Sequence, residues 1–210
     1  MNIGIIGAGK VGRTLGQRWS ENGHDVSYGV RNPADSKHQV LLGHARVLSS
    51  LEAATASEIV VLSVHWAAVE AALTEIKDAL QGKILVDCTN PVGADLGAFK
   101  SAAEQIQAWV PGCTVVKSFN QIGFNIMANP ILDGRQTVLF VASDSKSACD
   151  TVEGLAQELD FEVVQMPSLA AAAQLEAFAM LWITMSFKLG YGREFAFSMN
   201  QRHPRPQSEG

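Results

Sequence analysis

Cysteine is scarce in this chain. Cys88, Cys113 and Cys149 are the three among 210 residues, and they form no C-x-x-C pair. An odd number, so widely spaced, argues against a disulfide framework and against a structural zinc site. Such usage fits a reducing cytoplasm. Cationic residues are outnumbered: 16 Lys plus Arg stand against 21 Asp plus Glu, for a formal charge of −5. No basic stripe is visible, which speaks against a nucleic-acid partner. The five histidines, His24, His38, His44, His65 and His203, show no H-x-x-x-H or H-E-x-x-H spacing, so no metal site is expected. No Ser-His-Asp arrangement can be argued from residue order. The start, MNIGIIGAGK, shows no basic leader before an apolar run, and a signal peptide is not expected. The most apolar stretch, LAAAAQLEAFAMLWITMSF, is interrupted by Gln174 and Glu176 and reads as a buried helix rather than a membrane span.

Hydrophobic residues make up 47% of the chain, enough for one sizeable core. Short β-branched runs recur at 2–7, 25–29, 45–48, 59–64, 83–88, 114–119, 136–142 and 161–166. Helical patterns separate them, such as 11–22, 66–80, 99–109, 121–128 and 145–159. The most apolar runs show little alternation, as expected for strands buried on both faces. The pattern predicts an α/β fold: a Rossmann-like, doubly wound, mostly parallel sheet with a C-terminal helical extension. Residues 1–167 form the expected dinucleotide domain, 168–200 the helical segment, and 201–210 a flexible tail. On the helix predicted over 168–188, Leu175, Phe178, Trp182, Met185 and Leu189 make an apolar seam. That seam meets either the chain's own sheet or a second subunit.

The stretch GIIGAGKVGRTLGQRW places Gly7, Gly9 and Gly12 in G-x-G-x-x-G spacing between a strand and a helix. Gly7 permits a tight turn, Gly9 lets a pyrophosphate approach the backbone, and Gly12 lets the helix pack closely on the strand. Amides near Ala8, Lys10 and Val11 then face the phosphates at a helix N-terminus. The end of the second strand, SYGVRNP, carries Arg31 and Asn32 where an NAD-binding chain offers a carboxylate. A guanidinium can bind a 2′-phosphate through two parallel charge-assisted bonds. With Lys37 nearby, the expected coenzyme is NADP(H).

Three further strand ends carry polar or aromatic groups: SVHWAAV, DCTNPVG and KSFNQIG. Ser63, Val64 and His65 are placed along the coenzyme. Asn90 and Pro91 shape a nicotinamide pocket, and Phe119 and Asn120 frame the face from which hydride leaves. His65 and Asn120 are the candidate catalytic groups. His65 also reads as a helix cap, Asn120 as a loop bond, Cys88 as an apolar filler, and Trp182 as core or acceptor platform.

Together IGIIGAGKVG, YGVRNP, VDCTNP and VVKSFNQIGFNIMANP resemble the NADPH-dependent deazaflavin reductases and the cytosolic domain of the six-transmembrane metalloreductases. The resemblance runs from residue 2 to about 130 and continues more weakly through LEAFAMLWITMSFKLGYGREFAF. It implies NADPH held against a flavin-like acceptor in a shallow cleft, often in a homodimer through the C-terminal helix. Residues matching the family's 2′-phosphate contacts are Arg31 and Asn32. Those near the pyrophosphate are Ala8, Lys10 and Val11, and those near the nicotinamide are Ser63, Val64, Asn90, Phe119 and Asn120. No acceptor-specific motif matches, which leaves deazaflavin, FMN, FAD or a metal chelate as the small-molecule acceptor. The leading expectation is hydride transfer between NADP(H) and a deazaflavin or flavin. Alternatives are an imine or hydroxyacid reductase and a non-catalytic NADP(H) sensor or subunit.

Overall fold

A computed structural model describes residues 1–202. Ten strands are present among them: β1 (Asn2–Ile6), β2 (Asp25–Gly29), β3 (Arg46–Leu48), β4 (Ile59–Leu62), β5 (Ile84–Asp87), β6 (Thr114–Lys117), β7 (Ile131–Leu132), β8 (Arg135–Gln136), β9 (Val138–Ala142) and β10 (Glu162–Met166). The helices are α1 (Lys10–Glu21), α2 (Ser50–Ala56), α3 (Val69–Ile76), α4 (Ala102–Trp109), α5 (Phe124–Ala128), α6 (Lys146–Gln157) and α7 (Ala172–Phe187). Eight strands form one sheet in the order β10-β9-β6-β5-β4-β1-β2-β3. The block from β3 to β6 is parallel throughout. β9 meets β6 antiparallel through Lys117 and Ala142, and β10 pairs with β9 in parallel.

Successive residues of the central strands feed opposite faces of the sheet, as the pleat requires. Ile5, Ile59 and Val61 join a core with Trp19, Phe119 and Phe161. Ile6, Val60 and Leu62 join a second core with Leu73, Ile76 and Ile106. This is the Rossmann-like, mostly parallel sheet expected from the unalternating apolar runs.

The details differ in instructive ways. The helix expected over 66–80 is broken into a tight turn at 66–68, α3, and a second turn at 77–80. The helix expected from 121 begins only at Phe124, after Gly123. α2 is an added helix, and its start is written locally: Ser49 and Glu52 form a reciprocal capping box. The hairpin β7–β8 is also added. Its tip is Asp133-Gly134, both at positive φ, which is the Asp-Gly signal for such a turn. The expected tail lies outside the described residues from 203 onward.

α7 with its preceding turn, Leu169–Phe187, is long and apolar enough to cross a membrane by length and composition, with mean hydropathy 1.3. Its inner residues nevertheless pack on the sheet domain. Leu175, Ala179 and Trp182 are buried, and Phe178 stacks edge-on against Phe140 of β9. The seam therefore meets the chain's own sheet as far as Trp182, while Leu189 at its end is 63% exposed.

Candidate functional site

The order of strands reverses at β1 and β4, and a sheet of this kind opens a crevice beyond the carboxyl ends there. A cleft of about 1260 Å³ lies at that point. Its floor is the loop from β1 to α1. Gly7 has φ of +103°, and a Cβ there would come within 2.8 Å of the Val64 side chain. At Gly12 a Cβ would meet the Gly7 carbonyl at 2.2 Å. At Gly9 it would meet nothing within 4 Å, because this position faces the open cleft. Gly7 and Gly12 are thus required by turn geometry and close packing, whereas Gly9 leaves the backbone open to the cleft.

α1, like α3, α5 and α7, starts without a side-chain cap, unlike α2, α4 and α6. Ser49, Ser101 and Ser145 cap α2, α4 and α6 with side-chain hydrogen bonds. α1 begins at Gly9 with no side-chain cap and no acidic residue in its first turn. Its N-terminal amides and the positive end of its dipole are therefore available to an anion in the cleft. The loop is held in shape from both sides. The Ser63 hydroxyl donates to the Gly7 carbonyl at 2.8 Å, and Arg13 Nε donates to the Ala8 carbonyl at 2.7 Å. Arg13 also reaches the Lys37 carbonyl at 3.4 Å, tying the cradle to the turn over Ser36–Leu41.

Arg31 and Asn32 line the cleft just past the end of β2. Arg31 forms no ion pair among the described residues, and no carboxylate replaces it at the strand end. Lys37 also lines the cleft, but its ammonium lies 2.7 Å from Asp35. The Lys37 bond holds the Asp35 carboxyl below its ordinary range. Lys37 thus contributes less net charge than its sequence position suggested.

Ser63, Val64, His65 and Asn90 line the opposite wall. His65 is exposed and makes no side-chain cap to the turn that follows it. Phe119 and Asn120 stand behind this wall rather than on it. Phe119 is 1% exposed and packs edge-on against Trp19 and Phe161. Asn120 is buried; its amide donates to Asn90 Oδ1 at 2.9 Å and to the Leu175 carbonyl at 3.2 Å, while Asn90 donates to the Asn120 carbonyl at 2.7 Å. Asn120 therefore holds Asn90 against α7. Pro91 follows Asn90 directly, and Val92 lines the cleft. Trp182 is a core residue, stacked on Phe195 and donating to its carbonyl at 3.1 Å. Cys88 touches the cleft, and burial pushes its thiol far above the ordinary range, consistent with an inert filler.

The sequence reading passed over a buried charged cluster next to this wall. Lys117 is fully buried, with Nζ 2.9 Å from Asp87 Oδ2 and 3.0 Å from Glu176 Oε1. It also donates to the Thr89 carbonyl at 2.6 Å. Asp87 accepts from the Thr89 amide and hydroxyl, and Glu176 accepts from the Ala102 amide at the start of α4. Burial pulls the Lys117 ammonium downward, but Asp87 and Glu176 outweigh it and hold the group above its ordinary value. The cluster ties β5, β6, α4 and α7 to the turn that carries Asn90. Arg13 was missed as well, although its place one turn into α1 is a usable signal. Among the described residues no group of three or more His, Cys, Asp or Glu could hold a metal ion.

The family described as NADP oxidoreductase coenzyme F420-dependent matches residues 2–91. An F420-dependent NADP reductase from Methanothermobacter marburgensis is 30% identical over 213 residues, covering 90% of this chain and 93% of the relative. The metalloreductase STEAP3 of Rattus norvegicus is 35% identical over 180 residues, covering 83% of this chain. This chain spans only 36% of that relative's length. A crystal structure of a candidate F420-dependent NADP-reductase from Arthrobacter sp. FB24 superposes with a TM-score of 0.86 at 29% identity, covering 96% of this chain and 100% of that one. An imine reductase from Streptomyces aurantiacus shares the fold at 18% identity and a TM-score of 0.69. The chain belongs to the F420-dependent NADP oxidoreductase family, as its motifs implied.

Proposed function

We propose that this protein binds NADP(H) in the cleft and transfers hydride between it and a deazaflavin or flavin-type acceptor. The observation that carries the reading is Arg31: an unpaired guanidinium lines the same cleft as an uncapped helix N-terminus whose glycine cradle is open at Gly9. A cradle of amides suits the pyrophosphate, and a fixed cation beside the adenosine ribose suits a 2′-phosphate. The family to which the chain belongs is named for NADP and F420, and F420 is a deazaflavin.

In this reading Gly7, Ala8, Gly9, Lys10 and Val11 hold the pyrophosphate, and Gly12 keeps α1 close to β1. Arg31 and Asn32 hold the 2′-phosphate, with Lys37 supplying a partly neutralised charge. Ser63, Val64 and Asn90 place the nicotinamide, and Phe119 and Asn120 support them from behind. The coenzyme supplies the hydride. The protein's task is to hold two rings in register and exclude water, which needs no obligatory side-chain acid. His65, exposed on the cleft wall, is the group placed to carry a proton when the acceptor needs one.

Stopped-flow oxidation of NADPH with F420, FMN and FAD tests the proposal. Absorbance at 340 nm should decay with at least one acceptor and more slowly with NADH. Tight NADPH binding without oxidation by any acceptor would leave the protein a sensor.

A further inference from the structure

We propose that Glu176 of α7 is a positioning residue for hydride transfer: through it and its neighbour Leu175 the helix grips both Thr89 and Asn90, and so fixes the wall on which the nicotinamide rests. This rests on the hydride-transfer reading above and adds the part of the fold that sets the reacting geometry.

Thr89 and Asn90 line the cleft, whereas the side chains that hold them stand behind it. α7 supplies two consecutive residues to this support. Glu176 Oε1 lies 3.0 Å from Lys117 Nζ, and Lys117 donates to the Thr89 carbonyl at 2.6 Å. The Leu175 carbonyl accepts from the Asn120 amide group at 3.2 Å, and that group also donates to Asn90 Oδ1 at 2.9 Å. One path ends on the backbone of Thr89 and the other on the side chain of Asn90. Asp87 is the third anchor, accepting from the Thr89 amide at 2.8 Å and its hydroxyl at 2.7 Å. Between Asp87, Glu176 and the Thr89 carbonyl, all three N–H donors of Lys117 have partners. The segment cannot shift without breaking a buried bond.

Glu176 stands out in its own helix. It is the one charged side chain in α7, AAQLEAFAMLWITMSF, and it is 7% exposed. An apolar residue of similar size would avoid the cost of withdrawing a carboxylate from water. The carboxylate reaches away from α7 instead: Oε2 accepts from the Ala102 amide at 3.0 Å and Oε1 from the Ala103 amide at 3.4 Å, at the start of α4. It therefore fixes α7, α4 and Lys117 against one another at once. Ile183, about two turns along the same helix, lines the cleft directly. Hydride transfer depends on the approach of two rings, and a misplacement of about 1 Å can cost roughly a hundredfold in rate. A wall locked by buried bonds supplies that precision.

The experiment is single-turnover oxidation of NADPH by F420 or FMN, beside calorimetric NADPH binding and the fluorescence emission of bound NADPH. It compares wild type with Glu176→Gln, Glu176→Asp, Asn120→Ser and Leu155→Ala. Glu176→Gln keeps the volume, but its single carboxamide oxygen cannot serve both Lys117 and the Ala102 amide. Its hydride-transfer rate should fall roughly tenfold to a hundredfold, with NADPH affinity changed less than about twofold. Glu176→Asp keeps the charge at shorter reach and should recover part of the rate. Asn120→Ser releases the second grip without touching the charges and should show the same split of rate from affinity. In Glu176→Gln and Asn120→Ser the emission of bound NADPH should move toward that of the free coenzyme. Leu155→Ala lowers stability through the buried face of α6, away from the cleft, and should leave rate and emission as in wild type. Wild-type rates in Glu176→Gln and Asn120→Ser, affinity lost in step with rate, or an equal loss in Leu155→Ala would each overturn the proposal and leave hydride transfer standing. If wild type binds NADPH but oxidises it with no acceptor, the parent reading falls, and unchanged emission in Glu176→Gln then removes the positioning role as well.

Discussion

The two ends of the cleft are built on different principles. The end at the glycine loop is local: the loop, a helix start and Arg31 lie within the first 32 residues. The opposite end is assembled from distant segments. Asp87, Lys117 and Glu176 meet there although 89 residues separate the first from the last. The first end leaves its donors unpartnered, with no side-chain cap on α1 and no ion pair at Arg31 among the described residues. The second spends its charges on one another, in the interior, and so holds the wall in place. A site that binds can be made by one loop, whereas a wall that must stay dry and fixed is made by the whole fold.

Breaking the second end should cost most. Lys117→Met leaves Asp87 and Glu176 buried without their cation, and urea denaturation should show a loss of about 3–5 kcal/mol. The sign of its pH dependence follows from a raised folded value. The stabilisation from Lys117 is complete below its ordinary value of 10.5 and fades as pH rises beyond it, so the gap between wild type and variant should narrow in alkali. An unchanged midpoint at neutral pH would show that the cluster is not stabilising relative to its parts.

Gly12→Ala attacks the first end through packing. The added Cβ has the Gly7 carbonyl 2.2 Å away, so α1 must move outward. A loss of about 1–3 kcal/mol in thermal or urea unfolding is expected for such overpacking. NADPH affinity should fall as well, because the cradle opens. Retained affinity would separate the helix position from binding.

Arg31→Ala should have the smallest effect on stability, within about 0.5 kcal/mol, since Arg31 is exposed and unpaired. Calorimetry should nevertheless show NADPH binding weakened roughly tenfold to a hundredfold, with NADH changed little. Equal losses for both coenzymes would remove Arg31 as the reader of the phosphate.

Much of the fold was legible because its signals are short-ranged. Apolar runs such as Ile59–Leu62 report burial on both faces, and the alternation of strand and helix reports parallel pairing. The missed α2 was legible too, in the Ser49–Glu52 pair, and so was the Asp133-Gly134 turn. The candidate site was legible where it depends on sequence spacing and obscure where it depends on direction. Phe119 and Asn120 follow the end of β6, yet their side chains turn into the interior; Phe119 adopts φ of +56° there. Lys37 looked like free charge until Asp35, two residues earlier, was seen to reach it.

The sequence by itself determined the parallel sheet, the glycine cradle and the cation beside it, because strand burial, turn geometry and helix packing act between near neighbours in the chain. Only the tertiary structure decided that Lys117 is a buried tie rather than a surface charge, that Asn120 serves Asn90, and that Arg193 returns to lie over the Phe124 ring. Those outcomes depend on which distant segments desolvate one another, and the energy of a buried charge is set by partners that chain order does not name.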